Sequence, residues 1–341
     1  MPNAVTNEIA TSTTTPPVLD VRGLKVYFPF ARGMLGLGER GFIRAVDGVS
    51  FQIQPGETLG LVGESGCGKS TTARAIVRLV DPYEGYIFIN SQRVDHLNSQ
   101  AMLPLRRHVQ MIFQDPFASL NPRMTVGAII AEPLQLFGIL SPNDRKFEVM
   151  RLLDLVGLDP RFLNRYPHEF SGGQRQRIGI ARALAVRPKL LVCDEPVSAL
   201  DVSIQAQVVN LLMDLQQEFG LSYLFISHDL MVVRQVAQRV GVMYLGRIVE
   251  LAKTEEIFRS PLHPYTRALL SASPNPDPKQ ERQRQRISLT GEIPSPDRIY
   301  PGCSFADRCP LAEANCHSIP PQLLGDSHAV ACPVTSPVVR K

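Results

Sequence analysis

No apolar run in this 341-residue chain approaches the roughly 18 to 20 residues that a bilayer-spanning helix needs. Any membrane association is therefore expected to come through a partner. An excess of charge is missing too. Thirty-six basic against 32 acidic residues leave a formal +4, which points to no strong polyanion such as nucleic acid. The first residues, Met1 to Pro17, are rich in Thr, Asn and Pro and have neither the basic start nor the apolar centre of a signal peptide. They read as a disordered tail of a protein that stays in the cytosol. Cysteine is scarce, with six in all, and in a reducing compartment structural disulfides are not expected. There is no internal repeat and no run of heptads.

What is present is a phosphate-cradling loop. Gly63-Glu64-Ser65-Gly66-Cys67-Gly68-Lys69-Ser70 matches G-x-x-x-x-G-K-[ST] at every fixed position. It follows the apolar run Leu59 to Val62 and opens a helix-compatible stretch from Thr71 to Leu79, the context in which the motif has meaning. Glycines let backbone N–H groups close on phosphates, and the helix N-terminus adds positive partial charge. Lys69 would reach the phosphates and Ser70 would ligate Mg²⁺. A Gly-rich turn matching by chance is the bland alternative, and the context makes it small. The chain is expected to bind a nucleoside triphosphate with Mg²⁺.

Around the loop, Val18 to Phe28 reads as a strand, Pro29 to Gly41 as a flexible loop, Ala45 to Ile53 and Gly85 to Ile89 as further strands. From Pro116 to about Leu184 helical periodicity dominates. Leu190 to Asp194 and Tyr223 to Ile226 are continuous apolar runs, the pattern of parallel strands buried on both faces. Functional residues are then expected at their C-terminal ends. From Pro274 to Arg286 the chain turns Pro-, Arg- and Gln-rich, as a linker would.

Four more elements fall in fixed order. Gln114 follows Val109 to Phe113; Ser171-Gly172-Gly173-Gln174 precedes a helical stretch; Asp194-Glu195 ends one apolar strand, with Ser198 to Asp201 just beyond; His228 follows the next. Each has a plainer reading alone. Ser171 and Gln174 also make an ordinary capping box, paired acids are often solvated loop charges, and a lone histidine is more often structural. Together with the phosphate loop, over roughly Val18 to Leu270, the set resembles the ATP-binding subunits of ABC transporters.

That resemblance implies the α/β fold of P-loop, RecA-like NTPases: an ABC nucleotide-binding domain over 18–270 with an antiparallel β subdomain and an inserted helical subdomain at about 116–185. A disordered tail (1–17) precedes it, and a linker with a small Cys-bearing module (271–341) follows. It also implies roles. Glu195 orients or deprotonates the attacking water, His228 contacts the γ-phosphate, and Gln114 senses γ-phosphate and Mg²⁺. Asp194 and Ser70 hold Mg²⁺. Phe28, with Tyr27 the alternative, stacks on adenine. Ser171, Gly172, Gly173 and Gln174 serve the nucleotide of a second cassette in a head-to-tail dimer, and Asp201 couples the two sites. Phe170 stands where the family usually has Leu before the Ser.

The tail narrows the branch. His263 to Leu270, Gly291 to Pro296 and four late cysteines resemble the oligopeptide/dipeptide importers, and there the second, F-type, of two paired ATPases. The partners this implies are a sibling ATPase, two permeases and, indirectly, a periplasmic or extracellular substrate-binding protein. The place implied is the cytoplasmic side of the bacterial inner membrane. Related systems move nickel, glutathione or opines, and other ABC ATPases do not transport. Cys303, Cys309, Cys316 and Cys332 lack the close pairs of structural zinc sites. The branch resemblance implies that they hold a [4Fe–4S] cluster, with Zn²⁺ the alternative.

Overall fold

A computed structural model of the chain describes residues 15–31, 40–273, 287, 289, 291 and 294–336. Most of the expected N-terminal tail, the centre of the loop after Pro29, the Pro274–Arg286 linker and residues 292–293 of the Gly291 motif lie outside these.

Two sheets carry the molecule. The smaller is antiparallel, in the order β2 (Arg40–Ile53), β1 (Leu19–Ala31), β4 (Glu84–Ile89), β5 (Gln92–Arg93). The larger has seven strands: β11 (Ala329–Val330), β10 (Arg247–Lys253), β9 (Arg239–Tyr244), β3 (Thr58–Val62), β8 (Ser222–Ile226), β7 (Leu190–Asp194) and β6 (Val109–Ile112). From β9 to β6 it is parallel, and β10 and β11 are antiparallel additions. Every residue of β3, β7 and β8 is buried, as their unbroken apolar runs require.

One core layer lies between the two sheets, where Leu19, Val26, Ile53 and Ile87 meet Leu59, Leu61, Val192 and Ile226. The other covers the opposite face of the large sheet. It joins Cys193, Phe225 and Val240 to helices α3 (Val126–Leu136), α4 (Pro142–Leu155), α5 (Gly172–Leu184) and α6 (Val202–Phe219). Between β6 and β7 the described chain holds α3, α4, two 3-10 turns and α5, with no strand.

The expected loop from Pro29 to Gly41 needs correcting at both ends. Pro29, Phe30 and Ala31 pair with Phe42, Gly41 and Arg40 as continuations of β1 and β2. Proline is tolerated there because β1 pairs with β4 only as far as Lys25, so among the described residues no β4 carbonyl is left waiting for the missing Pro29 N–H.

The described C-terminal residues pack into the main body of the chain. Phe305 is buried in the main core against Tyr244, Tyr265 and His263, with ring centroids 5.2, 5.5 and 5.7 Å away. β11 extends the main sheet. The fully buried Glu250 on β10 fastens both sides of this junction. It accepts the backbone N–H groups of Leu262 and His263 at 2.7 and 2.9 Å, and His328 Nε2 lies 2.6 Å from its Oε1.

His263 caps α9 (Pro264–Ala272), its Nδ1 accepting from the Tyr265 N–H at 3.1 Å. Burial, with Arg267 adding, pushes its pKa from 6.5 down to about 3. Below pH 6.5 the unfolded chain therefore takes up a proton that the folded chain refuses. Stability from this group is complete above that value and is lost as pH falls toward 3, by up to about 1.4 kcal/mol per pH unit. Thermal unfolding of His263→Gln between pH 7 and 5 is expected to show a shallower acid decline than wild type; parallel curves would contradict it.

Candidate functional site

β3 ends at Val62, and helix α1 (Lys69–Ile76) begins seven residues later, with Gly68 as its N-cap in the left-handed region (φ 106°). A methyl group on Gly68 would overlap the carbonyl oxygen of Ala45 on β2. The loop is thus pressed against the small sheet at a point only glycine can occupy. Lys69 is 4% exposed, and its Nζ donates to Gly63 O at 2.8 Å and Glu64 O at 3.0 Å, with Cys67 Sγ at 3.7 Å. An anion entering the loop would take over these donors. Ser65 and Gly66 form the exposed crest, while Thr71 is half-buried in the first turn of α1.

At the end of β7, Asp194 is nearly buried and its Oδ1 accepts the Ser70 hydroxyl at 2.7 Å. Burial raises its pKa, while the Ser70 bond, Arg74 and Lys69 oppose the rise and Glu195 adds to it. A buried carboxylate paired with a hydroxyl is a hard oxygen donor set with unmet demand for positive charge. That suits Mg²⁺, which takes one or two protein oxygens and completes its shell with water and phosphate.

Glu195 follows in the left-handed region (φ 46°), unusual for a side chain with a Cβ. Its own N–H is tied to Ile226 O of β8 at 3.0 Å, which holds the turn. Gln114 Nε2, at the end of β6, donates to Glu195 Oε2 at 2.9 Å, and His228 Nδ1 lies 3.2 Å from the same oxygen. Three residues read from separate stretches of sequence thus meet at one carboxylate.

Ser171 caps α5. Its hydroxyl accepts from the Gln174 N–H at 3.4 Å, and Gln174 Oε1 accepts the Ser171 N–H at 3.0 Å, a closed capping box. Gly173 packs so tightly on Ile204 of α6 that a methyl there would overlap its Cγ2. Asp201 is exposed and caps α6, accepting from the Ile204 N–H at 3.0 Å. Among the described residues no hydrogen bond or ion pair links Ser171 to Gln174 with the phosphate loop.

Of the two candidate aromatics, Tyr27 is engaged. Its hydroxyl donates to Asp47 at 2.6 Å, and its ring stacks on Tyr83 with centroids 4.7 Å apart. Phe28 is 39% exposed and pairs with Ile43, two residues before the Ala45 carbonyl that abuts the loop.

The four late cysteines are free, Cys316 and Cys332 buried, Cys303 and Cys309 half-buried. Burial lifts Cys303 to about 11, opposed by the Phe305 N–H and aided by charge on Cys332, Cys309 or Cys316. Among the described residues, however, no group of three or more His, Cys, Asp or Glu side chains is arranged to hold a metal ion. The expected iron–sulfur ligation finds no formed cage.

Sequence reading missed two partners of the phosphate loop, Tyr265 and Arg308. The Tyr265 hydroxyl accepts the Glu64 N–H at 2.9 Å. Arg308 grips the Glu64 carboxylate through Nη1 and Nη2 at 3.0 and 3.3 Å, and its Nη1 is 3.3 Å from the Tyr244 hydroxyl. Burial alone would lower the Arg308 pKa, but the bonds to Glu64 and Tyr244 more than offset it and the group stays charged. Contacts spanning 244 residues leave no local signal. The one hint was Tyr265 itself, inside the His263–Leu270 run.

Comparison with known proteins agrees with this geometry. The ABC transporter family matches residues 46–198, and the oligopeptide/dipeptide transporter C-terminal region matches residues 249–316. The oligopeptide transport ATP-binding protein AppF of Bacillus subtilis is 51% identical over 325 residues, covering 94% of this chain and 98% of its own. OppF of Salmonella typhimurium is 52% identical over 324 residues, covering 94% and 97%. Among solved structures, a dimeric ATP-binding cassette in a post-hydrolysis state bound to ADP and Pi matches with a TM-score of 0.62. It is 28% identical over 69% of this chain and 98% of that one. The chain belongs to the ATP-binding proteins of the ABC transporter family, in the branch that carries the oligopeptide/dipeptide transporter C-terminal region.

Proposed function

We propose that the chain is the ATP-hydrolysing subunit that energises an importer of dipeptides or oligopeptides. The observation that carries the reading is the Glu195 carboxylate, held on Oε2 by Gln114 and His228 one residue beyond the Ser70–Asp194 pair. Both contacts fall on Oε2, so Oε1 is the oxygen open to an attacking water. Lys69 neutralises the terminal phosphates once they replace the loop carbonyls. Ser70 and Asp194 would hold Mg²⁺, which would supply charge stabilisation for the phosphoryl oxygens. Phe28, whose ring is free of the partners that occupy Tyr27, stacks on the base. Positioning and charge neutralisation together supply the acceleration.

The capping-box glycines Gly172 and Gly173 complete the site of a second cassette, and Asp201 at the adjoining helix start couples the two. The dimeric, product-bound relative supports a paired arrangement. The peptide substrate is supported by the names of the relatives and by the matched C-terminal region. None of the described helices is long and apolar enough to cross a membrane. We assign the chain to the cytoplasmic face of the inner membrane, bound through two permeases and beside a sibling ATPase.

We also infer that Cys303, Cys309, Cys316 and Cys332 form the ligand set of a structural [4Fe–4S] cluster. Four free thiols in one C-terminal segment support it, and binding would require them to converge, since the described residues form no metal-holding group.

Glu195→Gln in the assembled transporter is expected to keep ATP binding and to lower turnover by about 10²-fold or more, because the shape remains and the base is gone. Lys69→Ala should instead weaken binding itself. Turnover near wild type in Glu195→Gln would refute the role given to that residue.

The purified chain alone is expected to hydrolyse ATP slowly, and a sibling ATPase with two permeases should restore the rate. A lone chain as fast as the complex would refute the paired site.

Anaerobic purification is expected to give a brown protein absorbing broadly near roughly 400 nm. A colourless protein with one zinc would replace the iron and keep the ligands; no metal at all would refute both.

A further inference from the structure

Glu64 places a negative charge on the rim of a loop that must accept a polyanion. Its carboxylate is held by both terminal nitrogens of Arg308, at 3.0 and 3.3 Å, and the guanidinium is 8% exposed. A bidentate pair with one largely desolvated partner fixes orientation as well as charge. Arg308 ends a 3-10 turn (Ala306–Arg308) lying directly between Cys303 and Cys309. The turn is closed by Ala306 N–H to Cys303 O and by Cys309 N–H to Ala306 O, at 3.0 and 3.2 Å. On its other side, the Glu64 N–H is occupied by the Tyr265 hydroxyl.

The phosphate loop is therefore clamped at its second residue by the C-terminal segment, from both backbone and side chain. Beside the clamp is a cavity of about 310 Å³ walled by Glu64, Arg308, Tyr265, Ala268, Leu269 and Ala272. Glu64 has room to move if the pair opens.

We propose that Arg308 is a positioning residue for the phosphate loop, turning the Glu64 carboxylate away from the nucleotide and so coupling the state of the C-terminal cysteine segment to nucleotide affinity. The inference rests on the nucleotide-binding reading of the loop and on neither the transported substrate nor the metal. A shift of the turn between Cys303 and Cys309 moves Arg308 and releases Glu64 toward incoming phosphates. By reciprocity, bound nucleotide stabilises the docked form of the segment.

The test is equilibrium binding of trinitrophenyl-ATP, followed by fluorescence, to the full chain. Arg308→Gln is expected to raise Kd about tenfold, since an unpaired carboxylate then faces the phosphates across a short, partly desolvated gap. In a Glu64→Gln background, Arg308→Gln is expected to raise Kd less than about twofold, because the guanidinium has no charge left to hold. Equal penalties in both backgrounds would mean that Arg308 acts through general stability, and would overturn the proposal. So would an unchanged Kd in Arg308→Gln. If Arg308→Gln fails to fold, Arg308→Lys keeps the charge and loses the two-pronged grip. A Kd above wild type in Arg308→Lys, absent when Glu64 is also Gln, supports the clamp; wild-type binding refutes it. Failure of the wild-type chain to bind the probe would count against the nucleotide reading instead, so the two failures are separable.

Discussion

Everything chemical in this chain hangs from the parallel pairing of β3, β8 and β7. Leu61 pairs with Ile226, and Ile226 with Asp194, so the three strands stop at one level. At that level the phosphate loop leaves β3, the Asp194–Glu195 pair leaves β7, and Ser227–His228 leaves β8. None of the three strands has a residue at the surface, so a slip of register would drag apolar side chains into water. Burying each large apolar side chain contributes about 1.5–3 kcal/mol, which is what locks the level of the ends. The hydrogen bonds of Glu195 to Gln114 and of Ser70 to Asp194 follow from that alignment rather than creating it.

How much of this could be read from the sequence depends on how local each cause is. The phosphate loop, β7 and β8 were legible because their signals lie within a few consecutive residues: fixed glycines in one case, unbroken apolar runs in the others. The meeting of Gln114, Glu195 and His228 was legible only through the order of motifs that resembles a family, since nothing in the spacing places them side by side. The Gly- and Arg-rich stretch from Pro29 to Gly41 misled because its ends pair as continuations of β1 and β2, a long-range pairing that composition does not signal. Arg308 was not legible as a loop partner at all, and Tyr265 only as a member of the His263–Leu270 run. Their contacts are made by a chain that returns after some 200 residues or more to the loop it began from.

The C-terminal residues look like an appendage in sequence, being proline-rich and thin in apolar material. In the folded chain they supply Phe305 to the main core and Arg308 to the phosphate loop. His263 explains part of this. Neutral and buried, it starts the short helix that sets the Tyr265 hydroxyl beneath Glu64. A run of residues that marks a branch of the family is thus also a physical device, joining the nucleotide loop to the tail.

β11 is only two residues long, yet it occupies part of the flank of β10, which would otherwise present unpaired N–H and C=O groups at the end of the large sheet. An open flank of that kind recruits strands from other molecules. Ala329 and Val330, fastened through His328 to Glu250, act as a selvedge that keeps the sheet from being extended by a neighbour's chain.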